Sequence, residues 1–181
     1  RVRSLIAIAG FIDALNDWVG KVISYGALFM AALVLSEVVR RYFFNAPTVW
    51  GTELTQITFG IYVVLSGGYI LRWGGHVNVD ILYSRFSARG KAVLDIVTFF
   101  LFLLFCGMML WYGGSLAWES LSIWECSNSA WGPPICLAKM MIPLGAFLLL
   151  LQGIAKLVRD ILSLFPGTEI ATRDVTERET L

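Results

Sequence analysis

Residues 96–118 read IVTFFLFLLFCGMMLWYGGSLAW, and none of these side chains carries a charge. A bilayer core takes about 20 apolar residues of helix, with about 17–25 workable. Three further uncharged runs occupy residues 22–36, 54–71 and 140–155. The run 54–71 is long enough alone. The other two reach spanning length when flanking residues join their helices and Lys139, Lys156 and Arg159 snorkel at the ends. The predicted spans are therefore about 18–43, 53–72, 92–118 and 135–162, forming one membrane domain over 18–163 with a tail over 164–181.

Composition agrees with that division. Apolar residues make up 57 % of the chain and charged residues 15 %, and the mean hydropathy is +0.73. A soluble domain is about 45–50 % apolar and about 25 % charged. Four spans leave no room for a separate soluble domain. A formal net charge of +1 and the lack of a basic tract with interleaved aromatics give no footprint for nucleic acid.

Ahead of the first span, Leu5, Ile8, Ile12, Leu15, Val19 and Val22 recur at helical spacing, with Asp13, Asn16, Asp17 and Lys21 largely between them. Arg1 and Arg3 before an apolar stretch resemble the start of a signal peptide, but no convincing small-x-small cleavage site follows. The pattern predicts an amphipathic interfacial helix over 1–17 that turns into the first span. The expected fold class is an all-α membrane protein with four transmembrane helices and this N-terminal helix.

Orientation follows from Lys and Arg in the short connections. Arg72, Arg85, Arg89 and Lys91 lie between spans two and three, Arg1, Arg3 and Lys21 flank the N-terminal side, and Lys156 and Arg159 flank the C-terminal side. These regions share one face in a four-span protein, so both termini are expected in the cytoplasm. The connection between spans three and four holds Glu119, Glu125 and Lys139 together with Trp118, Trp124 and Trp131, as an interfacial aromatic belt does.

Arg40 and Arg41 break this bias at the outer end of span one. Glu37 precedes them by three and four residues and is placed to face both guanidinium groups. Pro47 stops the first helix, Thr52 is placed to cap the second, and Glu53 suits its positive N-terminal end. Trp50 suits the headgroup layer.

Polar residues within the spans include Ser36, Thr55, Gln56, Thr58, Ser66, Thr98, Ser115 and Gln152, which are expected to bond between helices. Gln56 and Gln152 are the best placed to contact a larger partner. Gly67, Gly68, Gly107, Gly113, Gly114 and Gly145 permit close helix approach, and Pro143 is expected to kink span four. His76 is the single histidine, too few for bis-histidine haem ligation or a zinc site, and its spacing to Asp80 suits a hydrogen-bonded pair. No cofactor is expected. Cys126 and Cys136 share an outer connection where a disulfide would persist, while Cys106 reads as a core residue.

Two strings carry a resemblance. Glu37-x-x-Arg40-Arg41-Tyr42-x-x-Asn45-x-Pro47-x-x-Trp50-x-x-Glu53 bridges spans one and two, and Gly74-x-His76-Val77-x-Val79-Asp80 follows span two. Trp131-x-Pro133-Pro134 and Ile142-Pro143-Leu144-Gly145 with Gln152 come later. This ordered set resembles the small membrane subunit of tripartite ATP-independent periplasmic (TRAP) transporters, the DctQ-like family, over about residues 18–162. The resemblance implies a secondary transport system in the bacterial inner membrane. Its partners would be a large DctM-like subunit, which carries organic acid and coupling ions, usually sodium, and a DctP-like periplasmic binding protein, with membrane lipids around them. Arg40, Arg41, Asn45, Pro47, Trp50, Glu53, His76 and Asp80 match the pattern and are carried over as docking or structural positions.

Other classes fit less well. A four-span thiol–quinone oxidoreductase needs a Cys-x-x-Cys pair and a second relay pair, and this chain has three cysteines and no such motif. A structural subunit of an unrelated membrane complex is the other alternative. The chain has neither a phosphate-binding glycine loop nor a nucleophile elbow. It is expected not to be an enzyme.

Overall fold

The computed structural model describes residues 2–73 and 88–163. Four helices account for nearly all of them: α1 Val2–Phe43, α2 Gly51–Arg72, α3 Ala88–Ser122 and α4 Cys136–Ser163. Within them Ile6–Phe43, Gly51–Arg72, Val97–Ser122 and Cys136–Arg159 are each long and apolar enough to cross a membrane. Helix α4 packs against the other three, and α1 packs also on α2. The start of α1, the end of α2 and the end of α4 meet at one end of the bundle, here the terminal end. The connections 44–50 and 123–135 meet at the other, the loop end.

The centrality of α4 is written in its small residues. Gly145, Leu148, Gln152 and Ala155 are buried at helical spacing. At Gly145 a methyl group would lie 2.6 Å from the backbone oxygen of Val64, so glycine there lets α2 and α4 touch backbone to backbone. At Gly68 the space a methyl group would take is filled by the Asn16 side chain reaching across from α1. Gly113 likewise meets Ile142 of α4, whereas Gly107 and Gly114 face open space. The chain remains helical through Pro143.

The N-terminal segment departs from expectation. Helix α1 runs unbroken for 42 residues, about 63 Å at 1.5 Å per residue, instead of turning near residue 17. Its polar face is also turned the other way. Asp13 and Asn16 are buried against the bundle, while Ile8, Phe11 and Trp18 face outward. The reason is partnership: Asp13 and Asn16 find bonds on α4, which a helix lying apart on the surface would forfeit.

The hydroxyls within the spans are likewise not helix-to-helix links. Ser36, Thr55, Thr58, Ser66 and Ser115 each donate to a carbonyl three or four residues back in their own helix. That local bond satisfies the hydroxyl without any neighbour.

The connection 123–135 is pinned by a short antiparallel pairing. Cys126 bridges Pro134, Ser127 N–H donates to the Pro133 carbonyl, and Ile135 N–H donates to the Glu125 carbonyl. This register sets Cys126 opposite Pro134, and Cys136 opens α4 with a buried side chain. Cys106, Cys126 and Cys136 are free thiols in this structure.

Glu125 closes this connection through Lys139 at 2.5 Å, and that hydrogen bond holds its carboxyl below the ordinary value of 4.5. A depressed carboxylate contributes stability above its ordinary pKa and loses it as pH falls through the depressed one. In Glu125→Gln the amides of Ile135 and Lys139 are expected to exchange hydrogen about twofold to fivefold faster than wild type at pH 7. The difference should shrink as pH falls below 4.5 and through the depressed pKa of Glu125. Equal exchange at pH 7 would contradict this role.

Candidate functional site

Two polar clusters cap the bundle, one at each end. At the loop end the α1–α2 connection is built by its own sequence. Asn45 adopts a left-handed conformation with φ of 48°, which Asn tolerates better than most residues. Arg40 O accepts from the N–H groups of Phe44 and Ala46 on either side of that turn. After Pro47, Thr48 returns to α1, donating from its backbone N–H at 3.1 Å and from its hydroxyl to the Glu37 carboxylate.

Glu37 is thus first a clasp for the loop and second a longer-range counterion for the two arginines. Arg41 lies 3.7 Å from it. Arg40 is exposed and makes no close ion pair among the described residues, although its charge also acts on Glu37. Helix α2 starts at Gly51 instead of being capped by Thr52, and its N-cap is Trp50 without a side-chain cap bond. A side chain at Gly51 would meet both Thr48 Oγ1 and Glu37, so glycine leaves room for the clasp, a signal the sequence reading missed. Glu53 accepts from Ser129 Oγ at 2.5 Å, which joins the first connection to the one between α3 and α4.

Below this cluster, α1 and α2 leave a shallow open groove of about 550 Å³ lined by Met30, Ala31, Val34, Thr55, Gln56 and Phe59. Gln56 is exposed on its wall, and its amide makes no hydrogen bond among the described residues.

The terminal end holds the more strongly connected cluster. Gln152 is buried and spends its amide inside the chain, donating to Asp13 at 2.7 Å and accepting from Asn16 at 2.9 Å. It is a link between helices, not a contact for a partner. Arg159 Nη2 pairs with the same Asp13 oxygen at 2.5 Å. Arg72 donates to the Asp13 carbonyl and lies 3.7 Å from Asp17, which also pairs with Lys21 at 2.8 Å. Asn16 also donates to the Ile12 carbonyl. Three helices are joined here by groups from distant parts of the chain. A usable signal did exist: Asp13 and Asn16 share a face of α1, and Gln152 and Arg159, seven residues apart, share a face of α4.

The structure therefore brings Glu37, Arg41, Asn45, Trp50 and Glu53 together at the loop end, and places Gln152 at the opposite end. His76 and Asp80 lie outside the described residues. Four apolar helices with their ionic groups gathered at the two ends define a polytopic membrane protein. The sequence profile of tripartite ATP-independent periplasmic transporters, DctQ component, matches residues 30–163, and the chain belongs to that family. It is a membrane component of a TRAP transporter. No curated protein matches the chain.

Proposed function

We propose that this subunit is a brace: it holds the large ion-coupled subunit in the inner membrane as a heterodimer, while a periplasmic protein delivers an organic acid and the large subunit moves it with sodium. Both termini lie in the cytoplasm and the Glu37–Glu53 hairpin faces the periplasm. The observation that carries this reading is the distribution of polar groups. Charges buried in a membrane mark ion or substrate paths. Here the run 22–36 of α1 and the apolar cores of the other helices carry none. The buried ionic groups lie at one end and bind each other. A wide apolar surface on α1 and α3, including Leu28, Leu35, Phe100, Phe105 and Trp111, is left for lipid and the large subunit.

Proteoliposomes test it. Uptake is expected with both membrane subunits and the binding protein, and none with this chain alone. Transport by this chain alone would refute the brace. Glu53→Ala breaks the link to Ser129 and is expected to lower recovery of the two-subunit complex about fivefold, corresponding to the loss of about 1 kcal/mol. Unchanged recovery would remove the hairpin from docking.

A further inference from the structure

We propose that the loop end of the α1–α2 hairpin binds one glycerophospholipid, its phosphate on Arg40 and Arg41 and one acyl chain in the groove between α1 and α2. The proposal is independent of the transported solute and of the brace.

The geometry of α1 aligns the two halves of such a site. Met30, Val34, Glu37 and Arg41 recur at helical spacing, so they form one stripe up the helix. Met30 and Val34 line the groove and Arg41 stands above them, about 16 Å from Met30 along the axis. The Arg41 side chain is 58 % exposed. Glu37 pairs with it only at longer range and leaves its N–H donors open. The carboxylate oxygens accept from Thr48, and at 3.7 Å the guanidinium is beyond direct hydrogen-bonding distance. Arg40, one residue away, is exposed, and Glu37 reaches it through longer-range attraction without a close ion pair among the described residues. Two adjacent guanidinium groups at the membrane edge match the planar, bidentate demands of phosphate.

The groove selects the rest of the molecule. Its volume of about 550 Å³ lies in the range of small-ligand sites, and apolar side chains make up most of its wall. It opens sideways from a span, where the surroundings are hydrocarbon. A free anion would satisfy the arginines and leave the groove unfilled. An apolar chain alone would leave the arginines unused. A phospholipid satisfies both, and the Gln56 amide, a turn inside α2, offers a donor between the two levels. Basic residues at membrane edges recognise lipid headgroups in this way.

Native mass spectrometry of the full chain in nonionic detergent tests the proposal, using phosphatidylglycerol, diacylglycerol with the same chains, and inorganic phosphate as competitor. One phosphatidylglycerol should bind, about tenfold tighter than diacylglycerol. The double variant Arg40→Gln/Arg41→Gln should erase that tenfold preference and leave diacylglycerol binding unchanged. Val34→Trp, which fills the groove without touching charge, should weaken both lipids, with helix content checked by circular dichroism. Millimolar phosphate should not displace the lipid. Unchanged phosphatidylglycerol binding by either variant overturns the proposal. So does displacement by phosphate, which would mean a free-anion site, or a photo-crosslinker at Met30 that captures a protein helix in native membranes in place of phospholipid.

Discussion

Asp13→Ala is expected to lower the melting temperature of the detergent-solubilised chain by about 5–10 °C. Asp13 is 3 % exposed and holds Arg159, Gln152 and, through its backbone, Arg72. Removing one partner of a buried ion pair costs about 3–5 kcal/mol when both are fully enclosed. Arg159 is 39 % exposed, so water reclaims part of its charge and about 2–3 kcal/mol remains. At about 2–4 °C per kcal/mol for a chain of this size, the shift follows. Asp13→Asn should fall between, because it keeps an acceptor for Gln152 and loses the charge. Adding Arg159→Met to Asp13→Ala should recover part of the loss, since the orphaned cation is removed with its partner. Melting curves followed by circular dichroism read all three, and superimposable curves would show that the cluster holds nothing together.

Gly145→Ala should be the most damaging single methyl group among the described glycines. The added carbon would lie 2.6 Å from the Val64 carbonyl oxygen and 3.0 Å from its carbon, and backbone cannot swing aside as a side chain can. Helices α2 and α4 must separate, at a cost of about 1–3 kcal/mol for overpacking, before any gain in helix propensity of about 1 kcal/mol. Gly107→Ala is the matched control. It faces open space, so only the propensity gain applies, and its melting temperature should hold or rise. Equal behaviour of the two variants would mean that α2 and α4 do not touch as described.

The four spans and the α1–α2 turn were legible because their causes are local. Hydropathy accumulates along a single run, and Asn45 and Pro47 shape the chain within a few residues of themselves. The terminal-end cluster was not, because Asp13 and its partners Gln152 and Arg159 stand 139 and 146 residues apart. Its orientation was misleading for a further reason. A stripe of Asp and Asn between apolar residues reads as a wetted face under the rule for soluble proteins. In a membrane protein the outside is also apolar, so the same stripe can turn inward, as Asn16 does. The hydroxyls failed differently: sequence gives the donor but not its direction, and Thr55 and Thr58 chose carbonyls of their own helix. For Cys126 and Cys136 the spacing left a bond open, because a disulfide depends on geometry that spacing does not carry; both are free here.

The length of α1 has a mechanical consequence. A rigid segment of 42 residues is about twice as long as hydrocarbon is thick, so it must lean, overshoot, or do both. It is fastened near its base by Asp13 and Asn16 and near its top by the clasp of Glu37 on Thr48. Any change in bilayer thickness therefore tilts a lever that is anchored at both extremities, and the surrounding membrane becomes a determinant of the angle at which this subunit presents its flank to whatever lies beside it.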